Sequence, residues 1–430
     1  MQRTIRTLRV ALPIIFFGFL VMIALSWTRN RPAKDRASTE PVVGPRAGEK
    51  PRVESKGFED TQTIAGRVVS RIRARRVVAY SSKWNTLEDV SLTIYRPNSL
   101  TYEIVCPQAQ FNSETKEADA KGGVRLTSSD GIEIKTAEIH FDGNRLTNRI
   151  PVEFRIDRWR GRAGALDLDV GGETLRLFEK LTATMEPAAP GESPMTMDSD
   201  EAVFRRREND VAFAPNVQMT RGADRLNAAR ILGRFSADRK KLVSLEGAGD
   251  ILIQLSGNAM PGENLGGKKE ITTRRFLSEV GPTGDIVAIN AFGDDIVTHA
   301  VLEGPPARDL VAKNLRVAFA GRAVSEVRAE HQVVMKELGP APRELAAERV
   351  VIYYDPATRQ PTGAMLDTNV RYKDPKNSAA AVRADYDIAN DKVLLSTWPG
   401  FQATVVADGQ TVKAQQIEFS PRAGTAKATG

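Results

Sequence analysis

Apolar and charged residues alternate through Asp130-Gly131-Ile132-Glu133-Ile134-Lys135-Thr136-Ala137-Glu138-Ile139-His140-Phe141-Asp142, and the pattern resumes past a polar turn in Pro151-Val152-Glu153-Phe154-Arg155-Ile156. Side chains of a strand point alternately to its two faces, so such a stretch lays an apolar row on one face and a charged row on the other. Each strand predicted this way is half buried. Helical patterning is scarce beyond the N-terminus: Arg308 to Phe319 has the length of a helix, but Leu315, Val317 and Phe319 alternate, which predicts strand. Many short strands separated by Gly- and Pro-containing turns predict an all-β chain built as a sandwich, a jelly roll or a solenoid-like stack.

The strands repeat. An Ala opening an outgoing strand is followed 15 positions later by a Val opening a return strand in Ala109 to Val124, Ala137 to Val152 and Ala202 to Val217. Looser copies run from Ala347 with Ile352 and Tyr354 to Val370-Arg371-Tyr372, and from Ala384 with Tyr386 and Ile388 to Phe401-Gln402-Ala403. Another opens at Asp408-Gly409, with Ala414, Ile417 and Phe419, and stops at Ala428-Thr429-Gly430, where its return strand is due. Either the last strand pairs differently or the reading frame is truncated. Internal repetition of this sort is the mark of stacked units that bury a shared apolar face.

The N-terminus departs from this pattern. Val10 to Trp27 carries no charge over 18 residues, about the length that spans a bilayer core, with Trp27 at the interface. An uncleaved anchor explains the run better than a signal peptide, whose apolar region is usually about 7–15 residues, although Ala24-Leu25-Ser26 resembles a weak cleavage site. Arg3, Arg6 and Arg9 precede the span and Arg29, Arg31, Lys34 and Arg36 follow it, so flanking charge does not fix its sidedness. The expected map is a cytoplasmic tail (1–9), an anchor (10–27), a flexible spacer rich in Pro, Gly and charge (28–57), a β domain (58–186) and a second β region (195–430). Pro187 to Pro194 separates the last two, and a looser break lies at Gly257 to Lys269.

Composition adds bounds. The 430 residues are 41% hydrophobic and 27% charged, as a folded protein of two or three domains would be. The net charge of +7 permits attraction to anionic lipid or nucleic acid, but the arginines alternate with carboxylates along strands, as on a solvated face. Aromatic residues are 6% and do not interleave with the basic runs at Arg71 to Arg76 and Arg205 to Arg207, which argues against nucleic acid. Those runs are able to meet lipid phosphates, but a solvated strand face or turn explains them more simply. Cys106, the only cysteine, excludes an intrachain disulfide.

Catalytic patterns are weak. His140, His299 and His331 are widely spaced and lack the i,i+4 arrangement of a zinc helix, so no metal is expected. Asp167 and Asp169 share a strand face, as two glycosidase carboxylates would, but alternation with Leu166, Leu168 and Val170 reads as a solvent face. Ser81-Ser82 and Cys106 have no base nearby in sequence. There is no G-x-x-x-x-G-K-[ST] sequence, so any energy input would come from a partner. No catalytic residue and no cofactor is expected.

The order Asp-Gly, alternating strand, Ala-x-Ile-x-Phe-Asp, then Pro-Val-x-Phe at 130 to 154 resembles the periplasmic domain of the LptC family of lipopolysaccharide export, with its LptA and OstA relatives. The resemblance is most specific over 58–186 and looser over 195–430, and the chain is about twice the length usual for that family. It implies an elongated, twisted, open β-jellyroll behind a single N-terminal transmembrane helix, with two consecutive β regions. It also implies a single-pass inner-membrane protein whose bulk lies in the periplasm of a Gram-negative-type bacterium. There it would take lipopolysaccharide from an Lpt-type ABC transporter and pass it, by edge-strand pairing, to an LptA-like periplasmic bridge.

The inward row expected to hold acyl chains is Val124, Leu126, Ile132, Ile134, Ile139, Phe141, Val152, Phe154 and Ile156, with Val217, Met219, Ile352, Tyr354, Val370 and Tyr372 in the second region. Ordinary core packing demands the same alternation. In the anchor, Phe16, Phe17 and Phe19 are positioned to pack on transporter helices or to face lipid. A structural β-stalk without lipid and a β-fold hydrolase are the alternatives.

Overall fold

The computed structural model describes residues 45 and 48–429, apart from 97–99, 187–192, 238–240, 256–268, 283–285, 303–306, 322, 341, 359, 408, 421–422 and 424. The expected tail and anchor, with Phe16, Phe17, Phe19 and Trp27, lie outside the described residues, as do most of the spacer and of the breaks at 187–194 and 257–269. No helix among the described residues is long and apolar enough to cross a membrane. Residues 50 to 430 form one compact unit.

Six long strands open an antiparallel ladder: β1 (Val53–Ile64), β2 (Arg67–Ala79), β3 (Trp84–Tyr95), β4 (Thr101–Asn112), β5 (Ala118–Ser128) and β6 (Ile132–Phe141). Residues 53–57, expected as spacer, are therefore strand, held by pairing of Val53 to Lys56 with Ala79 to Arg76. Four short strands follow, β7 (Arg145–Asn148), β8 (Val152–Ile156), β9 (Trp159–Ala163) and β10 (Ala165–Asp169), then a long one, β11 (Thr174–Met185).

The short strands sort into two layers. The last residues of β6, His140 and Phe141, pair with β7, whereas Ile132 to Thr136 pair with β8. β10 joins β7 to the first half of β11, and β9 joins β8 to the second half. We call the half-sheet containing β7 and β10 sheet I, and the one containing β8 and β9 sheet II. Long strands run through both.

This module recurs. β12 (Met195–Arg205) leads through β13 (Asp210–Ala214), β14 (Val217–Arg221), β15 (Asp224–Ala228) and β16 (Arg230–Phe235) to β17 (Leu242–Leu255). β18 (Lys269–Val280) leads likewise through β19 (Ile286–Phe292), β20 (Thr298–Leu302), β21 (Ala307–Ala312) and β22 (Asn314–Ala320) to β23 (Ala323–Leu338). β24 (Arg343–Tyr354) and β25 (Pro361–Lys373) extend both half-sheets. The last module is β26 (Asn377–Asp387), β27 (Lys392–Ser396), β28 (Ala403–Ala407), β29 (Gln410–Ala414), β30 (Gln416–Ser420) and β31 (Thr425–Thr429), which pairs with β30.

Pairing does not stop at the Pro187 to Pro194 break, because β11 and β12 form a continuous antiparallel pair from Thr174↔Arg205 to Met185↔Met195. Two of the three 15-residue repeats also contain more than the two strands expected. Ala137 to Val152 encloses β7, and Ala202 to Val217 encloses β13. The stretch Arg308 to Phe319 is strand as read, but two strands separated at Lys313.

From the β4–β5 pair onward, directly paired long strands shift register where they pass from one half-sheet to the other. Register shifts occur at Lys121/Val124, Phe178/Leu181, Ala248/Ile251, Glu330/Val333 and Asp367/Val370. Left-handed backbone collects there, at Gly122 and Gly123, Glu179 and Lys180, Gly249, His331 and Gln332, and Thr368 and Asn369. An extra residue in one strand of a pair bends it and re-aims its side chains. In β6 the alternation expected to be strict slips here: Ala137 and Glu138 are both exposed, so the buried row passes from Ile134 and Thr136 to Ile139 and Phe141.

Buried polar side chains fill the gaps the bends leave in the ladder. Asn148 Nδ2 donates to Thr136 Oγ1 at 2.7 Å and its Oδ1 accepts from the Leu166 amide at 3.2 Å, while Thr136 Oγ1 donates to the Pro151 carbonyl at 3.2 Å. Thr273 and Thr298 do the same in the β18 module, donating to the carbonyls of Phe292 and Lys313 at 2.8 and 3.3 Å. A buried backbone group without a partner is costly, which is why these positions are polar.

Candidate functional site

Following the register from strand to strand exposes an apolar row in sheet II. It runs from Ile72 through Leu92, Ile104, Leu126, Ile134 and Phe154 to Gly161. It continues through Ala183, Met197, Met219, Leu226, Ile253, Ile271, Ala300, Leu310 and Met335. Leu345, Tyr372, Ala379, Val405 and Val412 complete it. Every directly opposed pair from β2 to β29 is thus apolar or glycine, and side chains opposed in this way touch. Sheet I carries a similar row through Phe111, Ala118, Phe141, Leu146, Leu168, Leu175, Phe204 and Val211.

The two rows face each other. A cavity of about 20 Å³ is lined from sheet II by Ile72, Leu92 and Ile104 and from sheet I by Ala109, Ala120 and Phe141. It has room for one water-sized body. One apolar cluster joins residues from Ile72 to Phe276 and a second joins Ala291 to Phe419.

The nine expected inward residues fall on this interior with two gradations. Val124, Leu126, Ile134, Ile139, Phe141, Val152 and Phe154 are buried. Ile132 and Ile156 oppose each other at the outer end of their strands and are half buried against the same cluster. In the second region Val217 and Val370 are buried, and Met219, Ile352, Tyr354 and Tyr372 are half buried. Sequence reading missed the linking members Met197, Leu310 and Met335. Their neighbours in the row are supplied by other strands, so the row itself has no signature along the chain.

The phenylalanine of the row needs its glycine. A Cβ on Gly161 would lie 2.6 Å from Phe154 Cζ, so the ring occupies the place a side chain would take. Gly247 receives the ring of Phe276 in the same way, although it lies in sheet I.

The outer faces hold cross-strand ion pairs. Arg76 reaches Glu54 at 2.7 Å and Glu88 at 2.9 Å, Arg205 meets Asp210 at 2.7 Å, and Arg316 meets Glu279 at 2.8 Å. Asp167 is held by Arg145, and Asp169 accepts from the Gly172 amide at 2.7 Å, so the two carboxylates serve a strand pair and a turn. Arg206 departs from the solvated turn expected for its basic run. It is bonded to Asp130, with side-chain exposures of 13 % and 14 %.

Titratable groups are pushed by their surroundings. Burial raises the Cys106 thiol to about 11, which keeps it a neutral core group. The hydrogen bond that His140 Nδ1 donates to Asp119 Oδ1 at 2.8 Å raises the imidazole against the opposing effect of burial. Burial likewise raises the Tyr102 phenol, opposed by the nearby Arg206 charge. Among the described residues, no three His, Cys, Asp or Glu side chains gather as metal ligands would.

Comparison with known proteins places part of this chain. No curated protein matches it. The crystal structure of LptH from Pseudomonas aeruginosa, described as the LptA homologous periplasmic component of the conserved lipopolysaccharide transport device, aligns at 10% identity with a TM-score of 0.19. That alignment covers 39% of this chain and 92% of LptH. Residues 15–186 match the family described as lipopolysaccharide-assembly, LptC-related. The matched segment ends just past β11, and the strand modules that follow continue its ladder.

Proposed function

We propose that the chain is an inner-membrane-anchored periplasmic component of lipopolysaccharide export, which binds lipid acyl chains between its half-sheets and passes them along the ladder. The observation that carries this reading is the apolar row running unbroken from β2 to β29 in a chain whose residues 15–186 match a lipopolysaccharide-assembly family. Each acyl methylene taken out of water gains about 0.8 kcal/mol, and a row of near-equivalent sites lets a chain slide without meeting a deep trap. Val10 to Trp27 supplies the anchor, with Phe16, Phe17 and Phe19 on it, and residues 1–9 stay in the cytoplasm.

An ABC transporter of the Lpt type would load the lipid, and an LptA-like bridge would receive it. Among the described residues, β1 pairs only with β2, and β29 only with β28, so each end of the ladder offers a strand edge for β-augmentation. Residues 58–186 act as the LptC-like part, and 195–430 as a second part of the same conduit. Neither a cofactor nor nucleic acid enters this scheme.

A membrane-tethered β-stalk that carries no lipid is the second reading. The small size of the interior cavity favours it. Photo-crosslinking in cells separates the two, using a photoreactive amino acid at Phe154, on the inner row, and at Glu153, which is exposed and paired with Arg162 at 2.8 Å. Lipopolysaccharide adducts at 154 and not at 153 are expected. No adduct at either position in folded, exported protein leaves the stalk.

A further inference from the structure

The interior is packed, so acyl chains can occupy it only if the half-sheets part, and the free ends of the strands show where. Asp130 lies in the β5–β6 turn, at the free end of sheet II. Arg206 follows β12 where that strand pairs with β13, at the free end of sheet I. Their ion pair therefore crosses the seam between the half-sheets and joins residues of widely separated strands.

A neighbouring contact does the same. Arg96, just past β3 in sheet II, donates from Nη2 to the Gly171 carbonyl at 3.3 Å, in the β10–β11 turn of sheet I. Arg207 Nη2 donates to that same carbonyl at 2.8 Å. Towards the N-terminal end, Lys116 in the β4–β5 turn of sheet I reaches Asp60 of β1 in sheet II at 3.0 Å. The three contacts advance along the ladder together, as a seam would.

A largely buried ion pair is poor glue, because desolvating both charges offsets much of their attraction. Stability alone would be served as well by two apolar side chains. As a contact that opens, the pair is better suited: once water enters, both charges regain hydration and little holds the seam. We infer that Arg206–Asp130, supported by Arg96 on the Gly171 carbonyl, is a latch on the seam, and that lipid enters the interior sideways when it opens. The inference rests on the lipid-carrying reading above and adds its point of entry.

The test uses the full-length chain in detergent with purified lipopolysaccharide, and a photoreactive residue at Phe154 reads capture. Asp130→Cys with Arg206→Cys gives a pair that a short bis-maleimide can bridge, since native Cys106 is buried and reacts poorly. Bridging is expected to abolish capture, while the unbridged pair captures at least as fast as the native chain. Asp130→Asn is expected to speed capture about tenfold, and the swap Asp130→Arg with Arg206→Asp to return it towards the native rate. Equal capture by bridged and unbridged protein overturns the latch and leaves lipid carriage standing. Absence of capture by the native chain overturns lipid carriage, and the latch with it.

Discussion

Gly161 and Gly123 are both glycines of bent β-structure, yet they are glycine for different reasons. Gly161 faces Phe154 across the β8–β9 pair and cannot accept a Cβ without moving the ring, whereas Gly123 has open space around it and a φ of +99°. Gly161→Ala is expected to cost about 1–3 kcal/mol through overpacking, measured by chemical denaturation. Adding Phe154→Leu should recover only part of that cost, because the same Cβ also meets the Thr182 carbonyl oxygen. The pair His140–Asp119 makes a separate prediction. A folded-state imidazole raised above its unfolded value stabilises the fold fully below about pH 6.5, and that contribution disappears as pH rises through the raised value. The stability difference between the native chain and His140→Gln is therefore expected to be largest in mild acid and to vanish in mild alkali. A difference that grows with pH would refute it.

The bends are features of elements, and they decide which strands meet. Asn148 sits where β6 exchanges one partner for another, holding the Leu166 amide and the Thr136 hydroxyl. Asn148→Ala leaves buried groups unpaired and is expected to cost about 1–3 kcal/mol, with hydrogen exchange at the Leu166 amide accelerating most. At this scale the sequence was legible only in part. Alternation at 130–142 and 151–156 marks half-buried strands because burial on one face demands it. The short strands β7 and β13 stayed hidden inside the 15-residue repeats, since four or five residues carry too little pattern. The slip at Ala137-Glu138 is present in the letters, but it takes on meaning only once β7 and β8 are seen to share β6. Arg206 looked like part of an exposed basic run because its partner, Asp130, is remote in sequence.

Across the whole molecule the ladder and its inner row are continuous while the fully buried core is not, dividing between Phe276 and Ala291 into two clusters. Modular structures of this kind gain stability from each unit and from its interface with the next. Hydrogen exchange read by mass spectrometry is expected to show two blocks of common protection meeting near β18 and β19, instead of one. A single cooperative block from β2 to β30 would show that the ladder outweighs the division of the core.

The register also dictates an order of assembly. The widest strand pairing joins Lys269 to Leu302, so every strand finds its partner within a short length of chain. A polypeptide delivered N-terminus first can add strand after strand to the growing edge without waiting for its far end. The seam contacts of Arg96 with Gly171 and of Asp130 with Arg206 span far more of the chain and must form later. During delivery this part of the ladder thus exists first as an open trough, and the seam contacts close it last.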